Sequence, residues 1–252
     1  MDAFDADRPL RVVACFSGGA SGFRYLAKHD PNFGDSYEVV GGFTTDPDCA
    51  GVEALESRDV PVEAHDIRAF YRERGAEPTD LDVRAEFDAE TVERIARFEP
   101  DLLLLSGYMW ILTDPLLETY PILNVHPADL TITDEDGDRT YVGKNPVYDA
   151  IRDRRPETRS SVHFVTPGVD EGPVLVLSKP FPVHENLVEA LLEFDSGEAL
   201  REYAASHQEW MKWEGDGPAI AKGLELIGAG RVELEENDAL VDGEAGPYEL
   251  SE

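Results

Sequence analysis

The chain has 252 residues, 42% of them apolar, which suffices for a buried core in one α/β domain or two small ones. Its 53 Asp and Glu outnumber 22 Lys and Arg to give a net charge of −31, and this excludes the basic face that nucleic-acid binding requires. No apolar run approaches the roughly 20 residues of a membrane helix, and the acidic start MDAFDADRP lacks the basic-then-apolar layout of a signal peptide, so a cytoplasmic protein is expected.

The acids are spread along the chain, and only five of the cations are Lys. Two readings stand, a basic partner or a surface adapted to molar internal salt, and the second is favoured. Near 1 M salt the Debye length is about 3 Å, so the global charge barely repels an anionic ligand and local Arg contacts decide. Cys15 lies in an apolar run and reads as a small buried hydrophobe. Its spacing from Cys49 fits no zinc or redox motif, and a disulfide between the two has no support.

In chain order, residues 11–16 read as a buried strand, 17–22 as a small-residue loop and 23–28 as a helix start. Residues 37–45 and 61–66 read as further strands, and the charged segment 67–85 as loop with some helix. The next helix takes Asp88 as its N-cap and aligns Val92, Ile95 and Phe98 on one face. DLLLLSG, 101–107, is a continuous apolar run of the kind buried on both faces, and ILNVHP is the strand after it. The polar stretch 129–142 holds the acidic run TDEDGD and reads as a surface loop, with a helix over 145–153. Residues 160–166 and 172–183 are two more strands, and 186–230 alternates helical patterns around a breaker at 215–218. The chain ends in a hairpin over 231–243 with Asn237 and Asp238 near its turn.

Strands alternating with helices predict an α/β fold with a doubly wound, mostly parallel sheet. The expected organisation is an acidic tail over 1–10, one domain over 11–243 with halves at 11–122 and 123–243, and an acidic tail over 244–252. Ligands of such sheets bind beyond the carboxyl ends of the strands. Two motifs sit there. SGGASG, 17–22, offers free amides and a helix N-terminus to a phosphate, with Arg24 in reach, and equally suits a plain tight turn. It matches neither G-x-G-x-x-G nor a P-loop, and a nucleotide-binding oxidoreductase with Asp46 on the ribose stays open.

The second motif is NVHP. Alternate strand residues share a face, so Asn124 and His126 project together where Pro127 ends the strand. The plain alternative is a satisfied core histidine. Asp170, on the loop TPGVDEGP between two strands, is expected at the same sheet end. Amide, imidazole and carboxylate together suit acyl transfer: two donors for an oxyanion and a group to manage the proton. No G-x-S-x-G and no Cys beside a His points to a nucleophile, which favours direct transfer to an amine or water. A metal held by His126, His163 and Asp170 fits no zinc spacing, so no metal is expected.

SGGASG, SGYMWIL, NVHP, SVHFVT and VDEGPV, in this order, resemble the folate-dependent formyltransferases. The resemblance implies a Rossmann-like fold and direct transfer of a formyl group from 10-formyltetrahydrofolate, as co-substrate, to an amine, which is glycinamide ribonucleotide in the members of purine synthesis. It implies that Asn124, His126 and Asp170 are catalytic and that Gly18, Gly19, Ala20, Ser21 and Gly22 hold the substrate phosphate. It implies substrate or folate contacts at Arg84, at Tyr108, Met109, Trp110, Ile111 and Leu112, and at Val165, Thr166 and Val169, with Glu209 as the C-terminal contact. Small-molecule substrates are then its partners, as a monomer or homodimer. Plainer readings stand beside these: Arg84 as a solvated charge, Met109 and Ile111 as core.

The chain departs from the family where Gly22 replaces the usual Asn, which suggests a looser loop, and where ADLT and the acidic insert replace Ser-Leu-Leu-Pro. Val147 replaces a frequent His, and Trp110 a frequent cation. Hydrolysis of the folate, another amine as acceptor, and a non-catalytic folate-binding relative remain alternatives.

Overall fold

A computed structural model describes residues 8–194, 196–235 and 238–251. Its centre is an eight-stranded sheet ordered β13-β8-β7-β5-β4-β1-β2-β3. The strands are β1 (Leu10–Phe16), β2 (Tyr37–Thr44), β3 (Val62–Ala64), β4 (Leu102–Leu105), β5 (Ile122–His126), β7 (Ser161–Phe164), β8 (Val174–Leu177) and β13 (Tyr248–Glu249). Neighbours pair in parallel except at β7, which runs antiparallel to both β5 and β8. The chain leaves β1 towards β2 and later returns to its other side as β4, so the strand order reverses between β1 and β4. That is where an open α/β sheet makes a crevice.

The sheet separates two apolar layers because its strands carry apolar residues on both faces. Leu102 and Leu104 join Val12, Phe23, Leu26, Val162, Ile220 and Leu224 on one side. Leu103 and Leu105 join Cys15, Phe43, Phe70, Phe87 and Ile122 on the other. Helices α1 (Ser21–His29) and α9 (Gly217–Gly228) cover the first face. Helices α3 (Ile67–Arg74), α4 (Leu81–Ile95) and α5 (Asp114–Leu117) cover the second. Helix α2 (Ala50–Glu56) contacts β2 and β3 at the sheet edge. A third cluster, with Val147, Ile151, Phe181, Leu200 and Met211, joins α6 (Pro146–Arg152), α7 (Glu185–Glu193) and α8 (Gly197–Met211).

Several local expectations are corrected. Residues 67–85 are largely helical, because Asp66 and Asp80 cap the starts of α3 and α4 with their carboxylates. Asp88 is therefore not a cap; it lies within α4 and is wholly buried. The stretch 172–183 is two strands. β8 stays in the main sheet, while β9 (Phe181–Pro182) pairs with β6 (Glu157–Thr158). The expected break at 215–218 is a π-helical turn, Lys212–Asp216, joining α8 to α9. Its glycines serve close packing: a Cβ on Gly217 would come within 2.3 Å of the Tyr25 ring.

The terminal hairpin is present as β10 (Val232–Leu234) and β11 (Ala239–Val241), followed by β12 (Glu244–Ala245). Asn237, expected at its turn, lies outside the described residues. The tail expected over 244–252 supplies β12 and β13, the latter pairing with β8, because alternation at Tyr248 and Leu250 lets it bury apolar side chains against the first layer. The acidic insert is not open loop either. Thr133 bridges to Arg139 in an antiparallel pair. Both cysteines are free, and burial raises the Cys15 thiol to about 12, as befits an inert core residue.

Candidate active site

Asn124 and His126 occupy alternate positions of β5 and share one face, as a period of two dictates. The antiparallel register then sets His163 opposite Asn124 and Ser161 opposite His126. Imidazole and amide meet across the strands, with Asn124 Nδ2 3.1 Å from His163 Nε2. His163 Nδ1 lies 3.0 Å from the Phe164 carbonyl, which can only accept, so Nδ1 carries the hydrogen. Nε2 is then bare and accepts from Asn124, which orients the amide and leaves its second N–H free. Burial lowers the His163 pKa and keeps the ring neutral, so Nε2 remains an acceptor.

His126 is held the same way. Its Nε2 lies 2.8 Å from the Tyr141 carbonyl and must donate to it. Nδ1 therefore faces Asp170 Oδ2, 3.4 Å away, as the free nitrogen. Burial lowers the His126 pKa; the Asp170 carboxylate and the Tyr141 carbonyl work against that shift. The neutral ring is thus a base whose proton, once taken, sits beside a carboxylate. Asp170 spans both histidines, with Oδ1 3.7 Å from His163 Nε2. It accepts the Gly143 amide at 3.0 Å, and its side chain is 11% exposed. Its backbone is left-handed, φ 56°.

The glycine loop lies at the strand-order reversal, beside the loop that follows β4. Ser17 N donates to the Gly107 carbonyl at 3.0 Å, and Met109 N to Ser17 Oγ at 3.2 Å. Ser106 Oγ accepts the Gly22 amide at 2.9 Å. A Cβ at Gly22 would fall 2.8 Å from that oxygen, so the loop is close-packed there, not looser. Cβ atoms at Gly18 and Gly19 would meet nothing, so the backbone there is open to a ligand. Arg24, exposed beside the loop, commits two donors locally, Nε to the Gly19 carbonyl at 2.7 Å and Nη2 to the Ala50 carbonyl at 3.0 Å. The loop and the Asn124 corner are two strand spacings apart, about 10 Å.

The remaining expected contacts divide. Met109, Ile111 and Val169 are 76%, 57% and 54% exposed, and so are not core. Trp110 and Leu112 are half-buried, Trp110 stacked on Tyr71 at 6.2 Å. Val165 and Thr166, half-buried, follow β7 towards Asp170. Arg84 is no solvated charge. It is 2% exposed, lies within α4 and bonds Asp88 at 3.0 Å and the Tyr108 hydroxyl at 2.8 Å. Only its Nη1 has no partner among the described residues. Glu209 lies exposed on α8, where it bonds Lys212 at 2.5 Å and Trp213 at 3.0 Å.

Sequence reasoning missed His163 as the residue that orients Asn124. Its signal was alternation, since His163 shares a strand face with Ser161, but only the register reveals its partner. It also missed the half-buried Asp216, whose carboxylate takes the Ser160 hydroxyl at 2.5 Å. As for the metal reading, no three His, Cys, Asp or Glu among the described residues are placed to share one ion.

A model of the formyl transferase family matches residues 10–193. The phosphoribosylglycinamide formyltransferase of Mycobacterium tuberculosis is 30% identical over 196 residues, covering 77% of each chain. The solved structure of glycinamide ribonucleotide transformylase 1 from Symbiobacterium toebii has the same fold, with a TM-score of 0.67 at 24% identity over 92% of this chain and 94% of that one. A formyltetrahydrofolate deformylase of Bacillus subtilis is 28% identical over 122 residues, 48% of this chain and 35% of that protein.

Proposed function

The chain belongs to the formyl transferase family and is a one-carbon transferase, and from that premise we propose that it carries the formyl group of 10-formyltetrahydrofolate to the amine of glycinamide ribonucleotide in purine synthesis. The observation that carries this reading is the meeting of Asn124, His126 and Asp170 in one corner, with His126 Nδ1 3.4 Å from the Asp170 carboxylate. The amine attacks the formyl carbon, and the carbonyl oxygen becomes an oxyanion. The neutral Nδ1 of His126, backed by Asp170, takes the proton that the amine sheds and, once protonated, donates to the oxyanion together with the free N–H of Asn124. Collapse breaks the bond to the folate nitrogen, and His126 passes that proton to the nitrogen as tetrahydrofolate leaves.

In the same reading residues 11–122 form the phosphate-binding half, with the amides of 18–21 on the phosphate, and 123–243 the catalytic and folate half. The apolar side chains of Met109, Ile111 and Val169 suit the flat ring of a pterin. Arg84 Nη1 has a donor left for a carboxylate or phosphate, whereas Glu209 has no support as a substrate contact.

Likeness to a deformylase raises a second reading, in which water accepts the formyl group. One assay separates the two. Protein in molar KCl, chosen because the acid-rich surface is read as salt-adapted, is mixed with 10-formyltetrahydrofolate with and without glycinamide ribonucleotide. Tetrahydrofolate released only with the amine is the expected result. Release without it makes the chain a hydrolase, and no release under either condition rejects both.

A further inference from the structure

Arg139 stands at the foot of the acidic insert, where the sequence departs from its family. The insert is a closed hairpin. Asp134 Oδ1 accepts the amides of Asp136 and Asp138, each at 3.0 Å, and Asp134 N donates to the Asp138 carbonyl at 2.9 Å. Thr140 N donates to the Ile132 carbonyl at 3.0 Å and closes the other end. From this foot the guanidinium crosses to the loop between β7 and β8. One nitrogen donates to the Asp170 carbonyl, and the other to the Gly172 carbonyl at 2.9 Å. The residue between its two acceptors, Glu171, adds a carboxylate that also faces the guanidinium.

Asp170 needs such a hold. A left-handed backbone at a non-glycine residue costs on the order of 1 kcal/mol or more and persists only where neighbours enforce it. The Gly143 amide fixes one carboxylate oxygen and leaves the main chain of residue 170 to be held from elsewhere. We propose that Arg139 is a positioning residue for Asp170: its planar fork grips the carbonyls of residues 170 and 172 and sets the carboxylate against His126, so the acidic hairpin is a working part of the site. This rests on the role given to Asp170 above. Lysine cannot reproduce the grip, because a single ammonium does not present two parallel donors.

The test uses the full chain with Arg139→Ala and Arg139→Lys, read by steady-state formyl transfer and by NMR titration of His126. Misplacing a reacting group costs about 100-fold, so kcat of Arg139→Ala falls by about 100-fold with KM for both substrates unchanged, and Arg139→Lys recovers only part. The titration separates positioning from charge. His126 faces Asp170, Arg139, His163 and the Tyr141 carbonyl. Loss of a nearby cation alone raises the His126 pKa; loss of Asp170 from its side lowers it. A lower pKa, moving in the same direction as in Asp170→Asn, is expected. A raised or unchanged pKa overturns the proposal, as does wild-type kcat in Arg139→Ala. Should the wild type transfer no formyl group, the functional reading fails while the titration still decides the clamp.

Discussion

Two buried charge clusters sit on the same side of the sheet and differ in how completely their valences are filled. In the first, Asp88 gives one oxygen to Arg84 at 3.0 Å and the other to the amide and hydroxyl of Thr113 at 2.8 and 2.7 Å. Both members lie on one helix, four residues apart, and are 2% and 0% exposed. Burial raises the Asp88 carboxyl, while Arg84 and Thr113 oppose the shift. In the second, Asp170 and His126 come from elements far apart in the chain, approach only to 3.4 Å, and leave a ring nitrogen and an amide hydrogen uncommitted. A carboxylate with both oxygens committed, as in Asp88, makes a strut even though Arg84 keeps Nη1 open; open groups held in place by others make a reactive site. A buried pair is a poor guide to function until its remaining lone pairs are counted.

The comparison breaks if either cluster behaves like the other. Asp170→Asn keeps the shape and removes the carboxylate that backs His126, so turnover should fall by about 10³–10⁴-fold, or about 4–5.5 kcal/mol of barrier, with the unfolding midpoint little changed. Wild-type turnover in that variant would sink its assigned role. Asp88→Ala leaves Arg84 buried and unpaired, and should cost about 3–4 kcal/mol in denaturant unfolding; a stable variant would mean that water reaches the guanidinium.

A third carboxyl, half-buried, sharpens the contrast, because among the described residues Asp216 has one hydroxyl partner and no cation at bonding distance. Burial raises it to about 6. An acid whose pKa is higher folded than unfolded favours the folded state while it is protonated. Its contribution is complete below the unfolded value of 3.8 and disappears as pH rises through about 6. Asp216→Asn should therefore match the wild type near pH 4 and exceed it by about 3 kcal/mol at pH 8. Equal pH dependence in thermal melts of the two proteins would reject this. The smallest effect falls to His163→Phe. It fills the same space but loses the acceptor for Asn124, so kcat should drop by about 10-fold, near 1.4 kcal/mol. Unchanged kcat would show that the amide needs no orientation.

Much of the fold was legible because the signals were local. LLLL at 102–105 reads as a strand buried on both faces, and it splits its residues between the two apolar layers. Period two put Asn124 and His126 side by side, and TPGVDEGP placed Asp170 on a loop between neighbouring strands. Where charge misled, burial was the reason. The run 67–85 looks like loop by composition, yet two Asp caps start helices there, and Arg84 and Asp88 cancel one another inside the layer. Composition likewise concealed the hairpin in the acidic insert, because its closing bonds come from the Asp134 side chain and backbone.

The amino-acid sequence alone determined which residues alternate, where strands and most helices lie, and that an amide, an imidazole and a carboxylate gather at one sheet end. These follow from the fixed periods of strand and helix, which act over a few residues. Tertiary structure alone decided that His163 faces Asn124 across 39 residues of chain, that Asp170 turns left-handed, and that Arg139 reaches it across 31. Those are matters of lateral register and burial, set when distant segments meet and each polar group must find a partner away from water.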